Sequence, residues 1–150
     1  MSEDSFAISI RLIDKFMFEI DFGEFGDLIT DEPPPLGEGE GPNPSQLLAA
    51  AVANCLCASL LFAVRKFKED PGEIKANVTG LMTRINKRLR IEKIQVDIYL
   101  SAEQSSIQHL ERAVSQFENF CVVTESVRNG IEVDVAIYDG KNEKVPGKKD

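Results

Sequence analysis

The side chains in this sequence best suited to covalent chemistry are its three cysteines, Cys55, Cys57 and Cys121. A thiolate is a nucleophile that can be oxidised and reduced again, whereas a thiol buried in apolar surroundings is inert. Cys55 and Cys57 are two residues apart in a segment predicted to be helical, so their side chains point roughly 200° apart and cannot bridge each other. The two cysteines therefore have different roles, or they only fill space in a core.

The other residue types that often carry catalysis are scarce. The single histidine, His109, is predicted on a helix face opposite the apolar stripe, where it would be a solvated surface side chain. One histidine leaves little from which to build a metal site or a Cys-His dyad. The sequence also contains no phosphate-binding loop, HExxH or CxxC motif. We therefore expect no metal and no bound cofactor.

Length and charge limit the possible functions further. The chain has 150 residues, which predicts a single domain over 1–150, with a core at about 6–138 and a polar tail at 139–150. Its formal charge of −8 argues against a nucleic-acid partner. The first residues, MSEDSFAISI, lack the features of a secretory signal, and the odd number of cysteines is not typical of a disulfide scaffold. We expect a cytoplasmic protein.

Cys55 and Cys57 lie on the predicted central helix. Asn43 is a suitable N-cap, Pro44 suits the first helical position, and Gln46 completes a capping box. The helix is predicted to continue to about Lys68, before the helix-breaking Pro71-Gly72. Residues 47–64 carry no charge and approach the length of a membrane-spanning helix. The soluble-type cap and the interruption of the segment by polar residues favour a buried helix and no membrane.

The remaining elements are predicted from hydrophobic periodicity. Alternation predicts two half-buried strands over residues 6–13 and 16–22, which form a hairpin turning near Asp14-Lys15. Further strands are predicted at 74–82, with a bulge at Gly80, and at 91–100 and 131–138. A second helix is predicted from Glu103 or Ser106 to Phe120, and a short one over 121–127. The order indicates an α+β fold of mostly antiparallel sheet, with a long central buried helix and a second packed helix.

A long connection over residues 24–44 precedes the central helix and is rich in proline, glycine and acidic residues. Long loops of this kind are usually either disordered or functional. Two interpretations stay open at this point, an acidic flexible linker and a loop that shapes a site. Leu28-Ile29 is a candidate for a short strand within it.

The stretch GPNPSQLLAAAVANCLC resembles the signature of the OsmC/Ohr family of organic hydroperoxide reductases. In that pattern, Gly-x-Asn-Pro-x-x-Leu is followed by small residues and by a cysteine at a fixed offset. The matching residues are Gly41, Asn43, Pro44, Leu47, Ala49, Ala50 and Cys55. A second cysteine late in the chain, Cys121, and the order of the predicted elements also fit the family.

The resemblance implies an OsmC-like fold and a role for each cysteine. Cys55 would be the peroxidatic cysteine and Cys121 the resolving cysteine, with Asn43, Pro44 and Ser45 shaping the site. The implied partners are a second copy of the chain in an intertwined homodimer and a small-molecule peroxide or thiol ligand. The reductant would be an external dithiol.

Two features differ from the family's pattern. Ser45 occupies the position where family peroxidases have a glutamate, and the chain has no arginine between Arg11 and Arg65. Cys55 lies in the middle of its own helix, so the dipole of that helix activates it little. A basic cluster in a predicted hairpin contains arginines that could replace the missing one. They could bind an anion or activate the thiolate of Cys55, or they could form only a solvated face of the hairpin. These are Arg84, Arg88 and Arg90, beside Lys87 and Lys93.

These differences leave three hypotheses for function. The first is thiol-dependent reduction of organic hydroperoxides. The second is a non-catalytic OsmC-like protein that binds a small molecule or a thiol such as coenzyme A, whose phosphates would suit the basic cluster. The third is a redox sensor, in which Cys55 is oxidised stoichiometrically.

Overall fold

The chain forms antiparallel hairpins, one long helix and a region of short helices, and the cysteines lie on the long helix and at the start of the last short helix. The computed structural model describes residues 4–147 of the protein. The strands are β1 (Ser9–Asp14), β2 (Met17–Asp21), β3 (Asp27–Thr30), β4 (Ile74–Ile85), β5 (Arg88–Leu100), β6 (Ile137–Tyr138) and β7 (Lys144–Val145). The α-helices are α1 (Pro44–Lys66), α2 (Leu110–Gln116) and α3 (Val122–Asn129). Within the described residues, the strands form three separate antiparallel sheets, β1-β2-β3, β4-β5 and β6-β7, and the α+β class is confirmed.

The N-terminal hairpin forms as predicted, but its apolar face is not covered. Strand β1 pairs with β2, with Ile10 opposite Ile20, and Lys15 has the left-handed φ of 50° that a tight turn needs. The prediction of half-buried strands is wrong for β1, whose residues are all exposed, including Ile10 at 57% and Leu12 at 56%, whereas β2 is partly buried with Ile20 in the core. Alternation correctly predicts the strands, but no other part of the described chain packs against most of this face.

Helix α1 begins as the sequence predicts. The Asn43 side chain accepts the Gln46 N–H, and the Gln46 side chain accepts the Asn43 N–H, each at 2.9 Å. This reciprocal pair is the predicted capping box, and it satisfies two backbone donors that the helix itself leaves free. The helix ends at Lys66, slightly before the predicted end, and Lys68 then adopts a left-handed φ of 59° that turns the chain.

One face of α1 forms two parts of the core. Leu60, Ala63 and Val64 pack with Ile107 and Ala113 near the end of the helix. Nearer its middle, Val52 and Leu56 pack with Cys121. This second cluster brings the two parts of the chain that carry the cysteines into contact.

The opposite face of α1 is uncovered, with Ala51, Asn54 and Phe62 exposed. By length and composition, α1 could also cross a membrane, and 39% of its most apolar window is buried within this chain. The prediction of a buried central helix therefore holds for one face only.

Strands β4 and β5 form a long, regular hairpin. Val78 pairs with Val96, and the turn at Asn86 and Lys87 has left-handed φ values of 52° and 69°, as two-residue hairpin turns of this type require. The pairing register shifts between Leu81 and Met82, directly after Gly80, where a bulge is predicted. The two strands extend to the turn, beyond the predicted ends at 82 and 91.

The predicted second helix, from Glu103 or Ser106 to Phe120, is wrong as one continuous helix. The structure divides it into a 3₁₀ turn (Gln104–Ser106), the short α2, and a second 3₁₀ turn (Phe117–Phe120). The reason is a cap from outside the segment. The Glu69 carboxylate accepts the backbone N–H groups of Gln108 and His109, so the α-helix begins only after them.

His109 is not the solvated surface side chain predicted from the sequence. Its ring stacks on Phe67, with centroids 4.9 Å apart, and the residue is half-buried. Nδ1 is buried 3.2 Å from Glu69 Oε1 and makes no hydrogen bond within the described residues. The helical face that was predicted to be solvated is covered by the end of α1.

The predicted last strand, 131–138, forms only at its end. Ile137 and Tyr138 pair with Val145 and Lys144, while residues 131–136 join no sheet among the described residues. Val133 and Val135 are 76% and 77% exposed. The alternation is real, but the chain offers this segment no partner strand. The polar tail predicted at 139–150 contributes β7, and its last three residues lie outside the described residues.

The connection over residues 24–44 is ordered, so the flexible-linker interpretation is wrong. It contains a 3₁₀ turn (Gly23–Phe25) and β3, which includes Leu28-Ile29. The buried carboxylate of Asp31 then accepts backbone N–H groups from Glu32, Glu38 and Glu40. These bonds, most strongly that from Glu40, hold the pKa of Asp31 below its usual range. A single carboxylate thus organises the loop that leads to the cap of α1.

Candidate functional site

Cys55 and Cys121 meet where α1 passes the beginning of α3. Cys55 lies in the middle of α1, and Cys121 is the residue that immediately precedes α3, with an extended backbone at φ −87° and ψ 97°. Cys121 is 1% exposed and packs against Val52 and Leu56 of α1, with Cys55 at the edge of the same cluster. The structure therefore brings these two predicted site residues together.

The beginning of α3 is directed at the Cys55 sulfur. The groups that lower the pKa of Cys55 by hydrogen bonding are the Cys121 side chain, which contributes most, and the backbone N–H groups of Val123 and Thr124. The Ser59 side chain, one turn along α1, supplies a further hydrogen bond. The first N–H groups of a helix have no partner within the helix and carry partial positive charge, so this position suits a thiolate.

These contacts decide the ionisation of Cys55. Burial is the largest single effect and acts to raise the pKa of the thiol, because it disfavours the charged form. The hydrogen bonds from Cys121, Val123 and Thr124 together outweigh burial, and the pKa of Cys55 lies below its usual value. For Cys57 only burial acts, and it raises the pKa of that thiol. The two neighbouring cysteines therefore differ in reactivity.

We expect this difference to appear in the order of alkylation. With iodoacetamide at neutral pH, Cys55 should be modified before Cys57, because a lowered pKa leaves more thiolate at a given pH. The rate at Cys55 should also level off at a lower pH than the rate at Cys57. Peptide mapping of samples quenched over time measures both rates. Denatured protein, in which the environments are lost, is the control, and modification of Cys57 first would contradict the assignment.

Cys55 opens into a shallow apolar groove of about 460 Å³. The groove is lined by Ala58, Ser59, Phe62 and Phe120 beside the cysteine. The Phe62 and Phe120 rings meet edge to face, with centroids 5.3 Å apart. The Lys66 ammonium group lies 5.1 Å from the Phe120 centroid. The floor of the groove thus holds a partly exposed sulfur between apolar walls.

The residues predicted to shape the site lie further away along α1. Asn43 and Ser45 line a different groove, of about 590 Å³, together with residues of β4 and β5. Ten residues separate Ser45 from Cys55, which is about 15 Å along a helix. Within one chain, Asn43 and Pro44 therefore contribute to the site by starting α1, and none of the three residues lines the Cys55 groove.

The predicted activating arginines also lie elsewhere. Arg84, Arg88 and Arg90 are exposed at the turn end of the β4-β5 hairpin, where Arg84 donates to the Lys87 carbonyl and Arg90 to the Leu89 carbonyl. None of them is among the groups that hydrogen-bond Cys55 in the described chain. Delivery of an arginine by a second copy stays a prediction. Among residues 4–147, no cluster of three or more histidine, cysteine or acidic residues could hold a metal.

The groups near Cys55 that the sequence did not reveal are the Ser59 side chain and the backbone N–H groups of Val123 and Thr124. The available signal was the short helix predicted over 121–127, which begins at Cys121 and therefore has free N–H groups next to that cysteine. The sequence could not predict that the start of this helix lies against the middle of α1. Cys55 gains little from the dipole of α1, but the start of α3 supplies the N–H groups that α1 does not.

Comparison with known proteins supports the fold and the family. The sequence model of the OsmC-like protein family matches residues 37–136. Organic hydroperoxide resistance protein-like 2 of Staphylococcus epidermidis is 27% identical over 101 residues, which cover 66% of this chain and 69% of that protein.

Solved structures share the fold at low sequence identity. The OsmC-like protein of Mycoplasma pneumoniae superposes with a TM-score of 0.67 at 14% identity, covering 85% of this chain and 89% of its own. The organic hydroperoxide resistance protein OhrB of Bacillus subtilis gives a TM-score of 0.60 at 18% identity, covering 82% and 91%. The fold expected from the resemblance is confirmed, and with the match over residues 37–136 the chain belongs to the OsmC-like protein family.

Proposed function

We propose that the protein reduces organic hydroperoxides, with Cys55 as the attacking thiolate and Cys121 as the resolving thiol. The observation that carries this proposal is the contact of the two thiols at the start of α3, where only Cys55 also lines a groove. The relative from Staphylococcus epidermidis is named for organic hydroperoxide resistance, which agrees with the proposal.

The reaction would proceed in three steps. The Cys55 thiolate attacks the O–O bond of the hydroperoxide, an alkoxide leaves and takes up a proton as alcohol, and Cys55 becomes a sulfenic acid. The Cys121 thiol then condenses with the sulfenic acid, forming a disulfide and releasing water. An external dithiol restores both thiols by exchange and is itself oxidised to a disulfide. A reducing cytoplasm would supply such a dithiol.

The burial of the two sulfurs supports these roles. Cys55 is half-buried and faces the groove, whereas Cys121 is 1% exposed behind it. A peroxide entering the groove would meet Cys55 first. Cys121 does not need access to the groove, because it reacts in the second step with the sulfenic acid of Cys55, which is part of the protein. The hydrogen bonds that lower the pKa of Cys55 also supply the activation for which the family's pattern uses an arginine.

The walls of the groove favour an apolar substrate. Ala58, Phe62 and Phe120 present carbon to a bound molecule, so an alkyl or aryl group would be desolvated there while hydrogen peroxide would gain nothing. We therefore propose an organic hydroperoxide with a substantial apolar group.

The test is intact mass under denaturing, non-reducing conditions. Reduced protein treated with one equivalent of cumene hydroperoxide should lose two hydrogen atoms within seconds, and a dithiol should restore the original mass. Peptide mapping should then locate the disulfide between Cys55 and Cys121. Unchanged mass, or slow addition of oxygen spread over the three cysteines, would contradict the proposal. In that case, the better hypothesis is a protein that binds a small molecule or a thiol without turnover. The presence of Ser45, where the family's pattern has a glutamate, favours this alternative.

We further propose that the protein is a homodimer. The described chain leaves large apolar surfaces open, on β1 and β2, on α1 and over residues 131–136. Its accessible surface is 12096 Å², whereas a compact monomer of 16.6 kDa would expose about 7600 Å². The excess of about 4500 Å² per chain corresponds to about 9000 Å² over two chains, which exceeds the roughly 2000–5000 Å² common for obligate interfaces and is the scale expected of intertwined chains. A second copy that pairs with the open sheets would cover these surfaces.

Sedimentation velocity tests this assembly. At micromolar concentration, we expect a single species with twice the mass of the 16.6-kDa chain. Val133→Asp, which places a charge on the exposed apolar segment, should shift the equilibrium towards monomer. Lys141→Asp, on the nearby turn, is the matched control and should remain dimeric. A wild-type monomer over the same concentrations would contradict the proposal.

A further inference from the structure

Thr124 is a buried hydroxyl that the proposed reaction has not yet used. It lies in the first turn of α3, is 5% exposed, and its Oγ1 atom is 3.0 Å from the Cys121 Sγ atom. A buried hydroxyl that makes no hydrogen bond costs free energy, so this contact stabilises the position of both side chains. Thr124 does not line the Cys55 groove and would not touch a substrate there.

The Cys121 sulfur has two hydrogen-bond partners but one hydrogen. It donates to Thr124 Oγ1 at 3.0 Å, and the Cys121 side chain is also the hydrogen-bonding group that contributes most to lowering the pKa of Cys55. The single S–H cannot serve both fully at the same time. A hydroxyl can rotate and can either donate or accept, so Thr124 can accept from Cys121 or donate to it. When Thr124 donates, the Cys121 S–H is free to turn towards Cys55.

We propose that Thr124 is a positioning residue that acts through Cys121. In the reduced protein, Thr124 directs the Cys121 S–H group to the Cys55 thiolate. After oxidation, it directs the Cys121 sulfur to the Cys55 sulfenic acid. The proposal rests on the peroxide chemistry proposed for Cys55 and Cys121. In the proposed arrangement, the Thr124 hydroxyl would rotate to donate to the Cys121 sulfur, and the Cys121 S–H would then point to Cys55. Without the hydroxyl, Cys121 would lose the contact that fixes its side-chain rotamer.

The same contact has a second effect after oxidation. Condensation joins the two sulfurs, and the Cys121 hydrogen leaves with the sulfenic hydroxyl as water. The contacts that restrain Cys121 are the hydrogen bond to Thr124 and the packing against Val52 and Leu56. Loss of the hydroxyl should therefore slow both the ionisation-dependent first step and the formation of the disulfide.

The test compares Thr124→Val, which keeps the shape and removes the hydroxyl, with Thr124→Ser, which keeps the hydroxyl. Stopped-flow kinetics with cumene hydroperoxide should show a rate about tenfold lower for Thr124→Val at neutral pH, with the pH profile displaced to higher pH. Its sulfenic acid should also persist long enough to be trapped by dimedone. Thr124→Ser should restore the wild-type pH profile and leave little trapped acid.

The outcomes separate this inference from the proposed function. Wild-type protein that forms no disulfide would overturn the proposed function itself. If the wild type forms the disulfide and Thr124→Val matches the wild type in rate, pH profile and amount of trapped sulfenic acid, only the role of Thr124 is overturned. Thr124→Ala, which also lacks the hydroxyl, is the second variant if Thr124→Val does not fold. A purely structural role would lower the melting temperature without moving the pH profile, and that result would also overturn the proposal.

Discussion

Replacing Cys55 with serine will abolish hydroperoxide turnover, with a loss of about three orders of magnitude or more. A serine hydroxyl in the same position remains protonated at neutral pH and attacks the O–O bond poorly, so neither alcohol nor sulfenic acid forms. The substitution changes one atom at a half-buried position, and the fold should persist. The measurement is consumption of cumene hydroperoxide in the presence of excess dithiothreitol.

The matched control for this variant is Cys57→Ser. Cys57 lies two residues further along the same helix, and no group other than burial shifts the pKa of its thiol. Cys57→Ser should retain turnover within about twofold of wild type, because it leaves the contacts of Cys55 in place. If Cys57→Ser also abolishes turnover, or if Cys55→Ser retains it, then the assignment of the nucleophile is wrong.

Replacing Cys121 with serine will separate the first step from the second. Cys55 should still reduce one equivalent of hydroperoxide, because its N–H contacts with Val123 and Thr124 are unchanged. No thiol is then in place to condense with the sulfenic acid. Intact mass should therefore show the addition of one oxygen atom in place of the loss of two hydrogens. With excess hydroperoxide, further oxidation to sulfinic acid should inactivate the protein.

The readout for Cys121→Ser is the species formed at one equivalent, with dimedone adduct formation to identify the sulfenic acid. Cys57→Ser again serves as the control and should lose two hydrogens as the wild type does. A disulfide that still forms in Cys121→Ser would show that Cys57 or a second chain is the resolving group. A Cys121→Ser variant with undiminished sustained turnover would show that the external dithiol attacks Cys55 directly.

The sequence was sufficient to predict the elements whose signals are local. The capping box of Asn43 and Gln46 and the turn at Asn86 and Lys87 depend on residues adjacent in the chain, and both form as predicted. The prediction of one continuous second helix is wrong because the start of α2 depends on Glu69. This residue is distant along the chain from the N–H groups of Gln108 and His109 that its carboxylate accepts. Periodicity within a segment carries no information about a cap supplied from elsewhere.

In the candidate site too, the features with local sequence signals could be predicted and those that depend on tertiary packing could not. The offset from Asn43-Pro44 to Cys55, together with the distal Cys121, pointed to two cysteines that the structure places in contact. The groups that activate Cys55 could not be predicted, because two of them are backbone N–H groups of Val123 and Thr124. Such groups are present at every residue and become functional only through tertiary packing.

The three separate sheets of the chain have a consequence for the time before association. Among residues 4–147, each sheet ends in an edge strand that pairs with no further strand, and exposed apolar side chains such as Ile10 and Leu12 lie on these strands. Open edges of this kind add strands from other chains readily, which is the first event in aggregation. In the proposed homodimer, a newly made chain would be most vulnerable to aggregation between folding and meeting a second copy. Slow synthesis, which keeps the concentration of free chains low, would lengthen that interval, and association of neighbouring nascent chains would shorten it.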